Sequence, residues 1–440
     1  MTIYQRIKSN SLLKTGALYS VASTLSSIFT MAVGFLNMRW LGPELLGIWS
    51  SVTIINSYLP FFQLGIQSGL NLELPILLGE GKKKKAEEFV STALFFACVL
   101  ACAFSIISLL VITYLLFFTN VDTRVIYGLI AVCIMAICSC FRLHYIATYR
   151  SANAFDKLAK IYLVDCAVSL FCVLGIYYYK YYGLLFYNVA QYIVFTFLMW
   201  VYAPYRNTKP RFFREHFDSL LKRGVFMTVV NSIRGVVETL PRLIILKIGT
   251  VIQVGLFSPA SVACGFINLV PSQIIQFVHP QMSYKYGQTK KAKDMWPFLK
   301  FLTIWMPIFI LPVSLAGWFI IPYVIEIVFP NYIESIWPVR FLLIGVLFST
   351  RGFAKGFMTT IKAYKEVLGL DLFDLLMFTI CPLLVISLST LPMLSALSVG
   401  LSIAYVITFY VTIIITRMTI FKPKYNVENN FNCKHSDAVG

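Results

Sequence analysis

Leu41-Gly42-Pro43-Glu44-Leu45-Leu46-Gly47-Ile48-Trp49-Ser50 lies where one apolar run gives way to the next. Its pattern returns as Ile248-Gly249, a short insert, then Gly255-Leu256-Phe257-Ser258. Two further landmarks keep the register. Gly255 follows Gly47 by 208 residues, Pro280 follows Pro75 by 205, and Ala292 of Lys291-Ala292-Lys293 follows Ala86 of Lys85-Ala86-Glu87 by 206. A repeat of this period in an apolar chain predicts two copies of one helical lobe. Both copies start on the same side of the membrane, which makes them parallel repeats related by an axis along the membrane normal. Transporters built this way hold their substrate between the lobes and rock one against the other. The expected fold is an all-α integral membrane protein of about twelve transmembrane helices, in two six-helix lobes around a central cavity.

Composition demands a lipid solvent. The chain has 440 residues, 58% of them hydrophobic and 13% charged, and its mean hydropathy is +0.77. A soluble domain averages about 45–50% apolar and about 25% charged. A bilayer core of about 30 Å takes about 20 apolar residues per helix. Runs of that kind fall at 15–38, 46–72, 89–118, 124–149, 158–179, 183–203, 223–247, 253–279, 297–321, 337–361, 367–389 and 394–416. The second is interrupted by polar residues. The domains read as an N-terminal lobe over 1–203, a basic cytoplasmic linker over 204–222, a C-terminal lobe over 223–416 and a cytoplasmic tail over 417–440.

The net charge of +18 does not point to nucleic acid, because the basic residues sit in short loops between apolar runs. With the N-terminus inside, the inner segments hold 26 Lys and Arg, against four outside (Arg39, Arg124, Lys180 and Lys247). That asymmetry places both termini in the cytoplasm. Arg6, Lys8 and Lys14 precede the first run, which lacks a small-residue cleavage pattern and reads as an uncleaved first helix. Trp40, Trp200, Trp296, Trp318 and Trp337 lie near run ends, where amphipathic rings prefer to sit. Nine of the ten cysteines fall inside apolar runs and read as small hydrophobes. The Cys138/Cys140 spacing lacks the second pair that a zinc site needs.

The segment from Arg39 to Gly47 resembles the R-x-L-G-P-E-x-x-G outer turn of the polysaccharide-transport flippases, which include the O-antigen unit flippases of the multidrug/oligosaccharidyl-lipid/polysaccharide (MOP) exporter superfamily. Leu64-Gly65-Ile66, Gly255-Leu256-Phe257-Ser258 and Phe329-Pro330-Asn331-Tyr332 are also similar to that family. The resemblance covers most of the chain. It implies transport, by alternating access across the bacterial inner membrane, of an oligosaccharide on undecaprenyl pyrophosphate, the unit of O-antigen or another surface polysaccharide. It leaves open whether polymerase or chain-length machinery docks on the outer loops. Many relatives carry an Arg near the end of the second helix, where this chain has Asn71 and Glu73. A role for that Arg does not carry over.

Ionisable groups inside the spans are the candidate functional residues, since charge is expensive in lipid. Arg234, Glu238 and Arg242 recur at i, i+4 and i+8 in the seventh span, on one helix face. Three such charges cost roughly 8–10 kcal/mol on insertion scales, and the Leu, Ile, Val and Phe of the span return only about 4–8. The face must therefore look at protein or water. Pro241 removes a backbone donor beside it and favours a bend. Guanidinium forks suit pyrophosphate oxygens, so Arg234 and Arg242 are expected to meet the lipid pyrophosphate. The alternative is a self-satisfied Arg-Glu-Arg ladder. In the tenth span Arg351 and Lys355 are four apart, and Asp371 and Asp374 start the eleventh at similar depth, about 8–12 Å from the inner surface. A substrate site and a salt-bridge cluster both fit. Arg142 and Asp165 lie at matched depth in the fourth and fifth spans and read as an ion pair, with substrate contact by Arg142 as the alternative. His144 reads as a packed imidazole and His279 as interfacial. Gln63, Gln67, Ser68, Asn71 and Glu73 with Gly65 and Gly69 suit either a water-facing helix or close packing.

No G-x-x-x-x-G-K-[ST] phosphate loop, H-E-x-x-H or G-x-S-x-G occurs, and no cofactor is expected. The Lys82–Lys85 run fits anionic headgroups. Two competing functions remain. A membrane glycosyltransferase or ligase on the same lipid needs a large outer loop or catalytic carboxylates at the interface, and the longest outer loop here is about 15 residues, near 322–336, with Glu326 and Glu334. A cation-coupled drug exporter of the same superfamily usually relies on an acidic residue in its first helix, and residues 15–38 contain none.

Overall fold

The structure, a computed structural model, describes residues 3–289 and 291–426. The side chains of His279 and Pro280 and the tail beyond residue 426 lie outside the described residues. The α-helices in chain order are α1 (Ile3–Val52), α2 (Leu59–Phe62), α3 (Ile66–Gly79), α4 (Lys83–Phe118), α5 (Thr123–Ser151), α6 (Phe155–Val201), α7 (Arg214–Ile248) and α8 (Val251–Leu256). They continue as α9 (Ser258–Thr289), α10 (Trp296–Lys300), α11 (Met306–Val328), α12 (Ile336–Val346), α13 (Gly352–Thr360), α14 (Tyr364–Leu388) and α15 (Met393–Ile420).

Among the described residues, nine helical stretches are long and apolar enough to cross a membrane. Two of them, Leu18–Phe62 with 45 residues and Phe155–Val201 with 47, are each twice the length one crossing needs. Each breaks inside. The first turns at Gly42 (φ 76°, ψ 172°), a conformation that only glycine adopts without strain, and Pro43 then restarts the helix. The second turns at Lys180 (φ 50°, ψ −118°). Each stretch thus supplies two crossings. α7 supplies one more, although Arg234, Glu238 and Arg242 interrupt its apolar run. The twelve-helix reading stands.

The second crossing is less regular than a single span. After Val52 it runs as a 3₁₀ turn (Thr53–Tyr58) and α2, breaks at Leu64 (φ 50°) and Gly65 (φ 91°), and resumes as α3. The tenth holds a 3₁₀ turn at Leu347–Arg351, and the ninth a π-helical stretch at Phe301–Trp305 followed by Pro312 and Pro322 inside α11. Such interruptions are tolerated in a membrane only where neighbouring protein satisfies the backbone.

By contacts the chain forms two compact units, one of residues 1–262 with 324–335, the other of 263–323 with 336–440. In the first, α1 packs on α5, α6 and α8, and α3 packs on α4, α5 and α7. Ile66, Leu70 and Leu74 of α3 are buried with Phe89 and Val90 of α4 and Leu220 of α7. Lipid is as apolar as leucine, so close approach matters more than burial at these depths. Gly65 lies against the backbone of Gly224, and Gly69 against Leu220. In the second unit α15 packs on α12 and α14. There Gly345 abuts Ser402, whose hydroxyl donates to the carbonyl of Phe341 (2.7 Å), and Gly400 abuts Pro382. Large apolar side chains such as Phe117 and Phe171, each 78% exposed, cover the outside, as a lipid-facing surface requires.

Candidate functional site

The α7 row is built from its N-terminal end. Arg223 is ion-paired with Glu73 of α3, a residue only 5% exposed. One turn further, Thr228 shares a hydrogen bond with Ser68 (3.1 Å). These contacts, with Gln67 donating to the carbonyl of Ala93 (3.2 Å), bury the polar side of α3 in protein. Gln63, Gln67 and Glu73 are buried and Ser68 is half-buried, whereas Asn71 is exposed, so the polar residues of the second span are packed in part.

Beyond this anchored portion come Arg234, Glu238 and Arg242. Arg234 and Arg242 are half-buried and Glu238 is exposed. Glu238 feels the charge of both arginines. Yet among the described residues neither Glu238 nor Arg242 makes a hydrogen bond or an ion pair within 4 Å. A ladder closed by direct contacts is therefore not what the helix carries. Its charges are spaced along one face, and Glu238 and Arg242 keep hydrogen-bonding capacity for a further group.

In the second unit Arg351 and Lys355 meet two carboxylates of α14. Lys355 Nζ donates to Asp371 Oδ1 and to Asp374 Oδ2, each at 2.7 Å. Arg351 donates to Asp374 Oδ2 from Nε (3.3 Å) and Nη2 (3.1 Å). Its guanidinium lies over the rings of Phe378 (5.2 Å) and Tyr405 (5.1 Å). All four charged residues are buried. Each cation meets at least one carboxylate, and this is how like charges at i and i+4 coexist in a span.

Arg142 and Asp165 do not pair. The Arg142 guanidinium lies 4.3 Å from the ring centroid of Phe195 and 5.5 Å from that of Tyr192, which is cation–π geometry. Asp165, 4% exposed, accepts from Gln191 Nε2 (3.3 Å), and the same amide donates to Ser169 Oγ (3.1 Å). No ion pair forms between them within 4 Å, because the two helix faces present the groups to different neighbours. His144 is buried and edge-on to Tyr145 (5.5 Å), a packed ring. Sequence reasoning missed Gln191, a visible polar residue in an apolar run, and the Glu73–Arg223 pair, whose members lie in different segments.

At the ends of the spans, Arg340 stands between belt tryptophans, 5.0 Å from the Trp337 ring and 5.5 Å from the Trp318 ring. Lys82 to Lys85 are exposed, and the Lys82 ammonium beside Glu80 (2.7 Å) holds that carboxyl below its ordinary range. The nine cysteines among the described residues are free thiols, and those residues hold no cluster of three or more His, Cys, Asp or Glu that could bind a metal.

A family profile described as "Polysaccharide biosynthesis protein" matches residues 38–335. No curated protein matches the sequence. Solved structures do match. An inward-facing multidrug resistance MATE family transporter of the MOP superfamily superposes with a TM-score of 0.74 at 14% identity, over 90% of this chain and 94% of that one. The outward-facing conformation of such a transporter gives 0.68 at 14% identity, over 93% and 95%. A Vibrio cholerae MATE transporter gives 0.65 at 11%, over 94% and 99%. At these identities the likeness is one of fold. The profile spans most of the chain, and this multi-pass membrane protein belongs to the polysaccharide biosynthesis family.

Proposed function

We propose that this chain is a flippase that moves an oligosaccharide linked to undecaprenyl pyrophosphate across the bacterial inner membrane by alternating access, with both termini in the cytoplasm. The single observation that carries the reading is the α7 row, where Glu238 and Arg242 stand in a membrane helix with no direct protein partner among the described residues. A cationic face of this kind suits a doubly charged pyrophosphate. The guanidinium fork of Arg242 bonds two phosphate oxygens at once, Arg234 adds a second positive charge, and Glu238 limits how tightly the head is held. The polyprenyl tail stays in lipid while the head crosses. Transport without chemistry on the lipid fits a chain whose longest predicted outer loop is about 15 residues.

A multidrug exporter is the second reading, favoured by the fold of the MATE transporters. The first span, residues 15–38, carries no acidic residue for a cationic drug or a coupling ion. The test is complementation of a host that lacks its own flippase, with surface polysaccharide as readout and membrane abundance as control. Arg234→Ala, Arg242→Ala and Glu238→Gln should lose polysaccharide at normal abundance, with Arg234→Lys retaining part of it. Normal polysaccharide in all four variants would overturn the assignment of the α7 row.

A further inference from the structure

The segment that leads from α6 into α7 is basic and yet tied down. From Pro204 to Arg214 it holds Arg206, Lys209, Arg211 and Arg214 and no acidic residue. All four are exposed. Tyr205 packs against the core of Ile66, Leu70, Phe89 and Leu220. The Arg206 guanidinium lies over the Trp200 ring (5.2 Å). The Ser91 hydroxyl of α4 donates to the carbonyl of Lys209 (2.6 Å). Phe212 then lies against Phe95 of α4 (5.6 Å between ring centroids) and Phe217 of α7 (5.5 Å).

These anchors set a depth. Along α4, Ser91 lies about 12 Å and Phe95 about 18 Å beyond Lys83, at 1.5 Å per residue. Both belong to the apolar run that begins at residue 89. The segment is therefore a strap along α4, at the level where headgroups give way to acyl chains. Phe212 stays 51% exposed, so half of its ring is open to lipid. Around it stand Lys209, Arg211 and Arg214, which form no ion pair within 4 Å among the described residues. Glu215 is the first acid after them, and Glu88 of α4 is taken by His216 (3.0 Å). Long basic side chains beside a lipid-facing ring lay their stems on apolar surface and reach the phosphate level with their charge. Unpaired charge at that level calls for an anion from the leaflet itself.

We propose that Pro204–Arg214 is an interfacial strap that binds an anionic phospholipid of the cytoplasmic leaflet, with Lys209, Arg211 and Arg214 on the headgroup phosphate and Phe212 on the acyl chains. The loop asymmetry of lysine and arginine assigns the strap to that leaflet. The occupant is a bulk phospholipid and not the transported lipid. All three cations are exposed, and an open site is filled by the most abundant anion around it. The bound lipid steadies the chain where it enters α7.

The test uses the full chain in nanodiscs of phosphatidylcholine and phosphatidylglycerol, which hold no polyprenyl lipid. Phe212→Trp places a fluorescent ring in the strap. The quenching it adds to that of the native chain is measured with brominated acyl chains on one lipid or the other. Phosphatidylglycerol should be preferred by roughly fivefold or more, the effect of about one basic residue near an anionic surface. The preference should fade at high salt. Adding Lys209→Gln, Arg211→Gln and Arg214→Gln should abolish it. Adding Lys82→Gln, Lys83→Gln, Lys84→Gln and Lys85→Gln should leave it in place. Equal quenching by the two lipids overturns the proposal, as does a preference that resists salt or survives the three strap substitutions. A preference lost equally with the four lysines overturns it too, since a diffuse surface field would then be its source.

Discussion

Gly47 and Gly255, the paired landmarks of the internal repeat, meet each other in the folded chain. A Cβ built on Gly47 would lie 3.2 Å from the amide nitrogen of Gly255 and closer still to the carbonyl of Val251. One built on Gly255 would run into the carbonyl of Pro43. Backbones can cross this closely only where neither residue carries a side chain.

Gly47→Ala and Gly255→Ala should therefore each destabilise the protein, by about 1–3 kcal/mol, as overpacking does. Gly175→Ala and Gly369→Ala are the controls. A Cβ there meets nothing within 4 Å, and both positions are helical, so these should be neutral or stabilise by up to about 1 kcal/mol. Unfolding midpoints in detergent separate the two classes. Equal effects would mean that the crossing is looser than described.

Glu44 belongs to the same outer turn but makes only an exposed ion pair, with Arg124 at 2.9 Å. Such pairs are worth at most about 1 kcal/mol and are screened by salt. Glu44→Gln is expected to leave the unfolding midpoint almost unchanged. A large loss of stability would show that Glu44 is held by more than this contact.

The Glu73–Arg223 pair joins α3 to α7 with one member buried and the other exposed to 54% of its side chain. Arg223→Ala leaves a buried carboxylate uncompensated and should destabilise by about 1–3 kcal/mol, less than a fully buried pair because water screens it. Adding Glu73→Gln should recover part of that loss. A double-mutant cycle with a coupling energy of about 0.5 kcal/mol or more would establish the pair, and additivity would refute it.

For Arg142 and Asp165 the expectation is reversed. Arg142→Ala removes a cation–π contact worth about 0.5–2 kcal/mol. Asp165→Asn keeps a hydrogen-bond acceptor for Gln191 and should change stability little or improve it. Combined, the two should couple by far less than the roughly 3–5 kcal/mol set free when a buried ion pair is broken. Strong coupling would mean that the two charges touch in the membrane.

Much of the architecture was legible because it rests on local quantities. The length of an apolar run decides that it spans, and Gly42-Pro43 decides where one span ends and the next begins. The lysine-rich turn after α3 and the residues between α6 and α7 fall where the hydrophobic pattern stops. Local reading faltered at the second crossing. Pro60 and Gly65 were visible there, but only packing against α7 explains why a break in the helix is tolerated.

Sequence by itself determined that this chain is an all-α membrane protein of about twelve crossings, and which charges fall inside its apolar runs. It also placed Asp371 and Asp374 within reach of Arg351 and Lys355, because the four share two consecutive helices and one depth. The tertiary structure decided who touches whom. Arg142 lies over Phe195 instead of against Asp165, Asp165 takes Gln191, Glu73 takes Arg223, and Glu238 and Arg242 take no partner among the described residues. The reason is geometric. Position in the chain fixes how deep a side chain lies, whereas the rotation of each helix and the identity of its neighbour, which fix the contact, exist only once the helices have packed.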